Sequence, residues 1–124
     1  MAKKILIADS DPLFLESLVT RIKNGGEREI ITVFDGLEAL KKAKKEKLGL
    51  VILEDSLNFI NGFKICRLLK FDKRRRHIPV LLLMSQADEI NTALAKEVGA
   101  DECLPHSVDD ELLGKIDSYF TKED

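Results

Sequence analysis

Four short apolar runs in this chain each deliver a small set of reactive or ligating side chains. Ile5-Leu6-Ile7-Ala8 leads into Asp9, Ser10 and Asp11. Leu50-Val51-Ile52-Leu53 leads into Glu54, Asp55 and Ser56. The run from Pro79 closes on Met84 and Ser85, and Glu102-Cys103-Leu104 gives way to Pro105 and His106. Carboxylates gathered at one place attract cations and repel anions. Asp9 and Glu54 with His106 are suitable ligand types for a divalent ion if they converge. The simpler arrangement of the same residues is an acid–histidine ion pair that needs no metal. A phosphate-cradling nucleotide site is disfavoured. Such a site wants a Gly- or Ser/Thr-rich loop offering N–H groups, and neither GxGxxG nor GxxxxGK[ST] is present.

These residues need elements to hold them. The apolar runs are short and uninterrupted, as strands buried on both faces should be. Amphipathic helical patterns separate them. Asp11 ahead of Pro12 reads as a helix start, followed by Phe14, Leu15, Leu18 and Ile22 at helical spacing and ended by Asn24-Gly25-Gly26. A second strand at residues 30–34 precedes a helix opening at Asp35-Gly36, with Leu37, Leu40 and Ala43 inward. Gly62 opens a third helix with Phe63, Cys66 and Leu69 inward. A fourth, over 87–98, carries Ile90, Leu94 and Val98 and ends at Gly99. Ser107 caps a fifth that uses Leu112 or Leu113, Ile116 and Phe120. Phe14, Phe34 and Phe63 fall at core positions. Five β–α units in alternation predict an α/β fold. The expectation is a single domain over 1–124 with a parallel sheet covered by helices on both faces. In such a sheet ligands bind beyond the carboxyl ends of the strands at the topological switch point. Adjacent first and third strands would therefore place Asp9 beside Glu54.

Composition narrows the function classes. At 124 residues the chain is one domain's worth, and 44% hydrophobic with 34% charged residues describes a folded globule, not a disordered segment. Twenty basic against 22 acidic residues give a formal charge of −2, without the basic excess of a direct nucleic-acid or membrane-surface binder. The run Lys70, Lys73, Arg74, Arg75, Arg76 is read as a solvated loop. The start at Met1–Lys4 is basic, but the apolar run after it is too short for a signal peptide. Cys66 and Cys103 lack CxxC spacing. With no apolar run of membrane-spanning length, the expectation is a cytoplasmic protein without structural disulfides.

At this point the chain resembles the receiver domain of bacterial two-component response regulators. The resemblance is carried by Lys3 to Pro12, by Phe34-Asp35-Gly36 with Glu38-Ala39-Leu40, by Leu50–Leu53 followed by Gly62-Phe63, by Ile78-Pro79-Val80-Leu81, and by Gly99-Ala100-Asp101-Glu102. It implies a doubly wound, flavodoxin-like (βα)5 domain with a five-stranded parallel sheet in the order 2-1-3-4-5, and phosphorelay signalling. In a working receiver two acids after the first strand hold Mg²⁺ and an Asp after the third strand takes a phosphoryl group. A hydroxyl after the fourth and a Lys after the fifth bind the phosphoryl oxygens.

Carried over position by position, the resemblance departs at most of these places. Asp9 matches the first acid, but Ser10 replaces the second. Glu54, eight residues before Gly62, stands at the phosphoacceptor. Met84 falls at the hydroxyl, His106 at the Lys, and Cys103 at the switch aromatic. Ser10 weakens a hard-cation site. Glu moves its oxygens by about an ångström, which spoils in-line geometry. Met cannot hydrogen-bond a phosphoryl oxygen. The expectation is a degenerate receiver, or pseudo-receiver: not an enzyme, with no cofactor, weak or absent Mg²⁺ binding and a single dominant conformation. It would act by protein–protein contact or homodimerisation through the fourth helix, fifth strand and fifth helix. Two alternatives stand beside it. One is a competent Mg²⁺-dependent receiver that uses Asp55, and the other is a small cofactor-binding or enzymatic domain on the same fold.

Overall fold

Each apolar run becomes a parallel strand, and each amphipathic stretch a helix that covers it. The structure, a computed structural model, describes residues 4–121; the basic start over residues 1–3 lies outside them. In chain order the elements are β1 (Lys4–Ala8), α1 (Pro12–Asn24), β2 (Glu29–Val33), α2 (Gly36–Lys45), β3 (Leu48–Glu54), α3 (Gly62–Lys70), β4 (Val80–Met84), α4 (Glu89–Glu97), β5 (Glu102–Pro105) and α5 (Asp110–Thr121). The strands form one parallel sheet in the order β2-β1-β3-β4-β5, as the sequence predicts.

Alternation along the strands divides the core in two. Leu6, Ala8, Val51, Leu53, Leu82 and Met84 face α2, α3 and α4, against Ala39, Ile65, Cys66 and Val98. Ile5, Ile7, Leu50, Ile52, Leu81 and Leu83 face α1 and α5, against Leu15, Leu18, Leu112 and Ile116. Because β1 pairs with both β2 and β3, the chain turns in opposite directions from its first strand. The crevice this leaves opens at the carboxyl ends of β1 and β3.

Asp11, Asp35, Asn61 and Asp88 cap α1 to α4, each accepting a hydrogen bond from a backbone N–H of the first turn. The last helix corrects the sequence reading. Asp109, not Ser107, accepts from the Leu112 N–H at 3.0 Å, and its carbonyl accepts from Leu113. Three inward assignments also change. α2 lies against its surroundings through the small residues Gly36, Ala39 and Ala43, leaving Leu37 exposed. Phe34, just past the edge strand β2, is 54% exposed because no further strand covers that side. Ile90 is 80% exposed, since the first turn of α4 stands clear of the sheet and its contact is made later, by Ala95 and Val98. Phe14 and Phe63 are partly buried against the two core clusters.

Part of the basic run after α3 is structural. Lys70 reaches the Ile78 carbonyl at 2.8 Å and Asp101 at 2.7 Å. Arg75 donates to the carbonyls of Ala43 and Lys44 at the end of α2 and pairs with Asp72. Asp72 also accepts from the Arg74 N–H at 2.9 Å. That N–H, and then the Arg75 guanidinium, hold the Asp72 carboxyl below its ordinary value. A depressed folded value means stabilisation that is complete above the unfolded value and lost as pH falls through the folded one. Asp72→Asn is therefore expected to lower the melting temperature at neutral pH. The gap from the parent should close as pH drops below the carboxylate range, and thermal melts across that range check it.

Candidate functional site

Asp9 is the first residue past β1, and its N–H donates to the Val33 carbonyl at 3.1 Å, which fixes the backbone at the strand end. Glu54 is the last residue of β3. His106 follows β5, with its N–H bonded to the Met84 carbonyl at 3.1 Å. Three strand ends thus converge, and ligand atoms of Asp9, Glu54 and His106 all lie within 4.8 Å of one another.

Inside this group the closest contact is His106 Nε2 to Asp9 Oδ2, at 2.6 Å. The other oxygen of Asp9 accepts from the Asp11 N–H at 2.9 Å. Asp9 is fully buried. Burial pushes its carboxyl above the ordinary value, while the Asp11 N–H and His106 pull the other way. Phe14, in the first turn of α1, stacks on the imidazole with centroids 3.8 Å apart and an interplanar angle of 19°. The ring is therefore held by a face and an edge together.

Glu54 is occupied as well. Its Oε1 accepts from both the N–H and the hydroxyl of Ser10, each at 2.8 Å. Its Oε2 accepts from the Ser56 hydroxyl at 3.2 Å. The residue in place of the second acid thus serves as a donor that ties the β1 loop to the end of β3.

The remaining sequence candidates separate from this group. Asp55, the first residue past β3, is not in this group. It is buried, and its carboxylate accepts from the Ser85 N–H at 3.3 Å and the Ser85 hydroxyl at 3.1 Å. Asp11 is the cap of α1 and is exposed. Met84 is buried in the core under α2–α4. Cys103 is partly buried and packs against the same core. Cys66 is buried, its Sγ 3.6 Å from the Val98 carbonyl, and burial pushes its thiol up to about 12, which makes it an inert core residue.

Ser56, which the sequence places among the residues past the third strand, takes its role as a donor to Glu54 two residues before it. Phe14 reads from the sequence only as a core residue, and spacing cannot flag its stack on His106 because that contact crosses the fold.

The comparisons with known proteins agree with this architecture. A family profile described as "Response regulator receiver domain" matches residues 5–116. The alkaline phosphatase synthesis transcriptional regulatory protein PhoP of Bacillus subtilis is 37% identical over 105 residues, covering 82% of this chain and 41% of that protein. A transcriptional regulatory protein, the CpxR homolog of Haemophilus influenzae, is 34% identical over 120 residues, covering 96% of this chain and 51% of that protein. The chain spans about half the length of these curated relatives. Among solved structures, a CheY-like receiver domain protein from Methanospirillum hungatei superimposes with a TM-score of 0.87 at 24% identity, over 98% of this chain and 96% of that one. DrrB, an OmpR/PhoB homolog from Thermotoga maritima, gives 0.84 at 25% identity, over 99% of this chain and 54% of that one. The five-stranded parallel fold is thus held in common with these proteins, and the chain belongs to the response regulator receiver domain family of two-component signalling.

Proposed function

We propose that this receiver, a single module over 1–124, signals without taking a phosphoryl group, by protein–protein contact in the cytoplasm. The observation that carries the reading is that the acids of its pocket are already engaged within the protein. Asp9 is bound to His106, and Glu54 is bound to Ser10 and Ser56. A receiver needs these positions free for metal and phosphoryl. Here the one remaining metal acid has an oxygen on His106 and an oxygen on the Asp11 N–H. Its partner position is a neutral hydroxyl that points at Glu54. That donor set does not fit Mg²⁺, which demands near-ideal octahedral oxygen coordination and takes it from carboxylates. Met84 supplies no hydroxyl and is spent on the core.

The Asp55 alternative is weakened by its contacts. Its carboxylate is bonded to Ser85, and it stands outside the Asp9–Glu54–His106 group. For the partner surface, the face made by α4, β5 and α5 gains support from Ile90, a large apolar side chain left in solvent. A protein partner or a second copy of the chain would cover it. No direct nucleic-acid contact is assigned, consistent with the net charge of −2. No helix among the described residues is long and apolar enough to cross a membrane.

The test is intact mass after incubation with acetyl phosphate and Mg²⁺, with ¹⁵N–¹H spectra recorded on the same sample. The expected result is no phosphoryl adduct and unmoved resonances for Asp9 and Glu54. A stoichiometric adduct, at Asp55 or at Glu54, would overturn the reading.

A further inference from the structure

The misfit to Mg²⁺ has a positive counterpart in the donors that replace it. We infer that Asp9, Glu54 and His106 form a binding site for a borderline divalent transition ion of the zinc class. The inference does not depend on whether the protein accepts phosphoryl, because it concerns which ion the pocket holds.

The argument rests on ligand chemistry and on how each ligand is held. Imidazole nitrogen suits zinc-class ions and not Mg²⁺, which favours carboxylate, carbonyl and water oxygens. Exchanging an ammonium, which has no lone pair to offer, for an imidazole brings a nitrogen ligand to this position. His106 presents Nε2 to the pocket, and the stacked Phe14 ring fixes the imidazole plane. Asp9 presents Oδ2 to the same point, while its Oδ1 is anchored on the Asp11 N–H. Glu54 is oriented by the Ser10 N–H and by the Ser10 and Ser56 hydroxyls. Outer partners of this kind are what set the direction and basicity of metal-binding side chains.

Distances allow the ion. Ligands of a tetrahedral Zn²⁺, each about 2.0–2.1 Å from the metal, stand about 3.3 Å apart. Asp9 Oδ2 and His106 Nε2 are 2.6 Å apart, so the ion parts them slightly. The whole group lies within 4.8 Å, so the three-torsion side chain of Glu54 closes what separation remains. The ion takes the place of the hydrogen-bond proton between Asp9 and His106. Three protein ligands leave the fourth position to water.

The experiment is calorimetric titration of the full chain with Zn²⁺ and separately with Mg²⁺, repeated with Co²⁺ while the visible d–d absorption is followed. The expected result is one Zn²⁺ per chain, bound at least about tenfold more tightly than Mg²⁺. His106→Asn should weaken it by at least about tenfold and shift the Co²⁺ spectrum. Glu54→Gln gives a second loss should the histidine variant fail to fold, with circular dichroism as the check on both. His77 is exposed and the only other histidine, and Cys103 is a partly buried thiol. His77→Ala and Cys103→Ser should leave Zn²⁺ binding unchanged. Equal affinity for the two metals, unaltered Zn²⁺ binding in both pocket variants, or loss of Zn²⁺ binding with His77→Ala would overturn the inference.

Discussion

Installing Ser10→Asp, Glu54→Asp, Met84→Thr and His106→Lys together is expected to convert a chain that gains no phosphoryl mass from acetyl phosphate into one in which most molecules do. Each change returns one position to the residue a working receiver carries. Glu54→Asp withdraws the carboxylate from Ser56 and shortens its reach by one methylene. Ser10→Asp removes the hydroxyl that donates to Oε1 of Glu54 and supplies a second acid. His106→Lys frees Oδ2 of Asp9. Only the set as a whole leaves two acids, an acceptor and a cation facing one space. Residues that act as a unit are strongly non-additive, so each single change is expected to stay unlabelled.

The same variant should acquire a dependence on Mg²⁺ that the parent lacks. Three carboxylates at positions 9, 10 and 54 outnumber the single ammonium at 106, so the pocket keeps a net negative charge that a divalent cation relieves. At a Mg²⁺ concentration of 100 times its dissociation constant, binding would stabilise the fold by about 2.7 kcal/mol. Thermal melts with and without Mg²⁺ read this separately from phosphoryl transfer. Met84→Thr opposes the gain, since it places a hydroxyl in the buried cluster beside Leu82 and Leu53, at about 1–3 kcal/mol. A variant that binds Mg²⁺ yet takes no phosphoryl would show that the four positions do not account for the loss. A parent that already labels would remove the premise.

What the sequence made legible follows from how the interior is built. Central strands of a parallel sheet are apolar on both faces, so Leu50–Leu53 and Val80–Leu83 announce themselves without periodicity. With their order known, the residues just past each strand are candidates, which is why Asp9, Glu54 and His106 could be named together. Which helical face packs was less legible. α2 approaches closely through Gly36, Ala39 and Ala43, whereas a count of hydrophobicity selects Leu37. Ile90 misleads in the same way, because periodicity cannot tell a covered face from one left for a partner. At α5, Ser107 and Asp109 are both good caps, and only the path after β5 decides for Asp109. The Ser10–Glu54 bonds and the Phe14–His106 stack depend on side-chain reach across the crevice, which residue spacing does not encode.

Gly36→Ala is expected to cost about 3 kcal/mol. A Cβ at Gly36 would stand 1.7 Å from the Ile60 carbonyl oxygen and 2.7 Å from its carbon. These are backbone atoms, so no rotamer change relieves the collision. The loop itself must move. That loop runs from Glu54 to α3 and is pinned on both sides: the Gly36 N–H donates to Asn58, and the Gly62 N–H donates to the Asp55 carbonyl. It also holds Phe59 in a left-handed conformation at φ 68°, a strained state for a bulky side chain that is 82% exposed and gains nothing from burial. Displacing Ile60 therefore disturbs the segment that carries Ser56, and with it the orientation of Glu54. Gly114→Ala supplies the opposite sign. It lies within α5 with nothing within 4 Å of its would-be Cβ. Relieving the entropic penalty of a helical glycine should there raise stability by about 0.5–1 kcal/mol. Urea unfolding of the two variants beside the parent checks both. Similar shifts of the same sign would mean that backbone contact at Gly36 is not what excludes a side chain there.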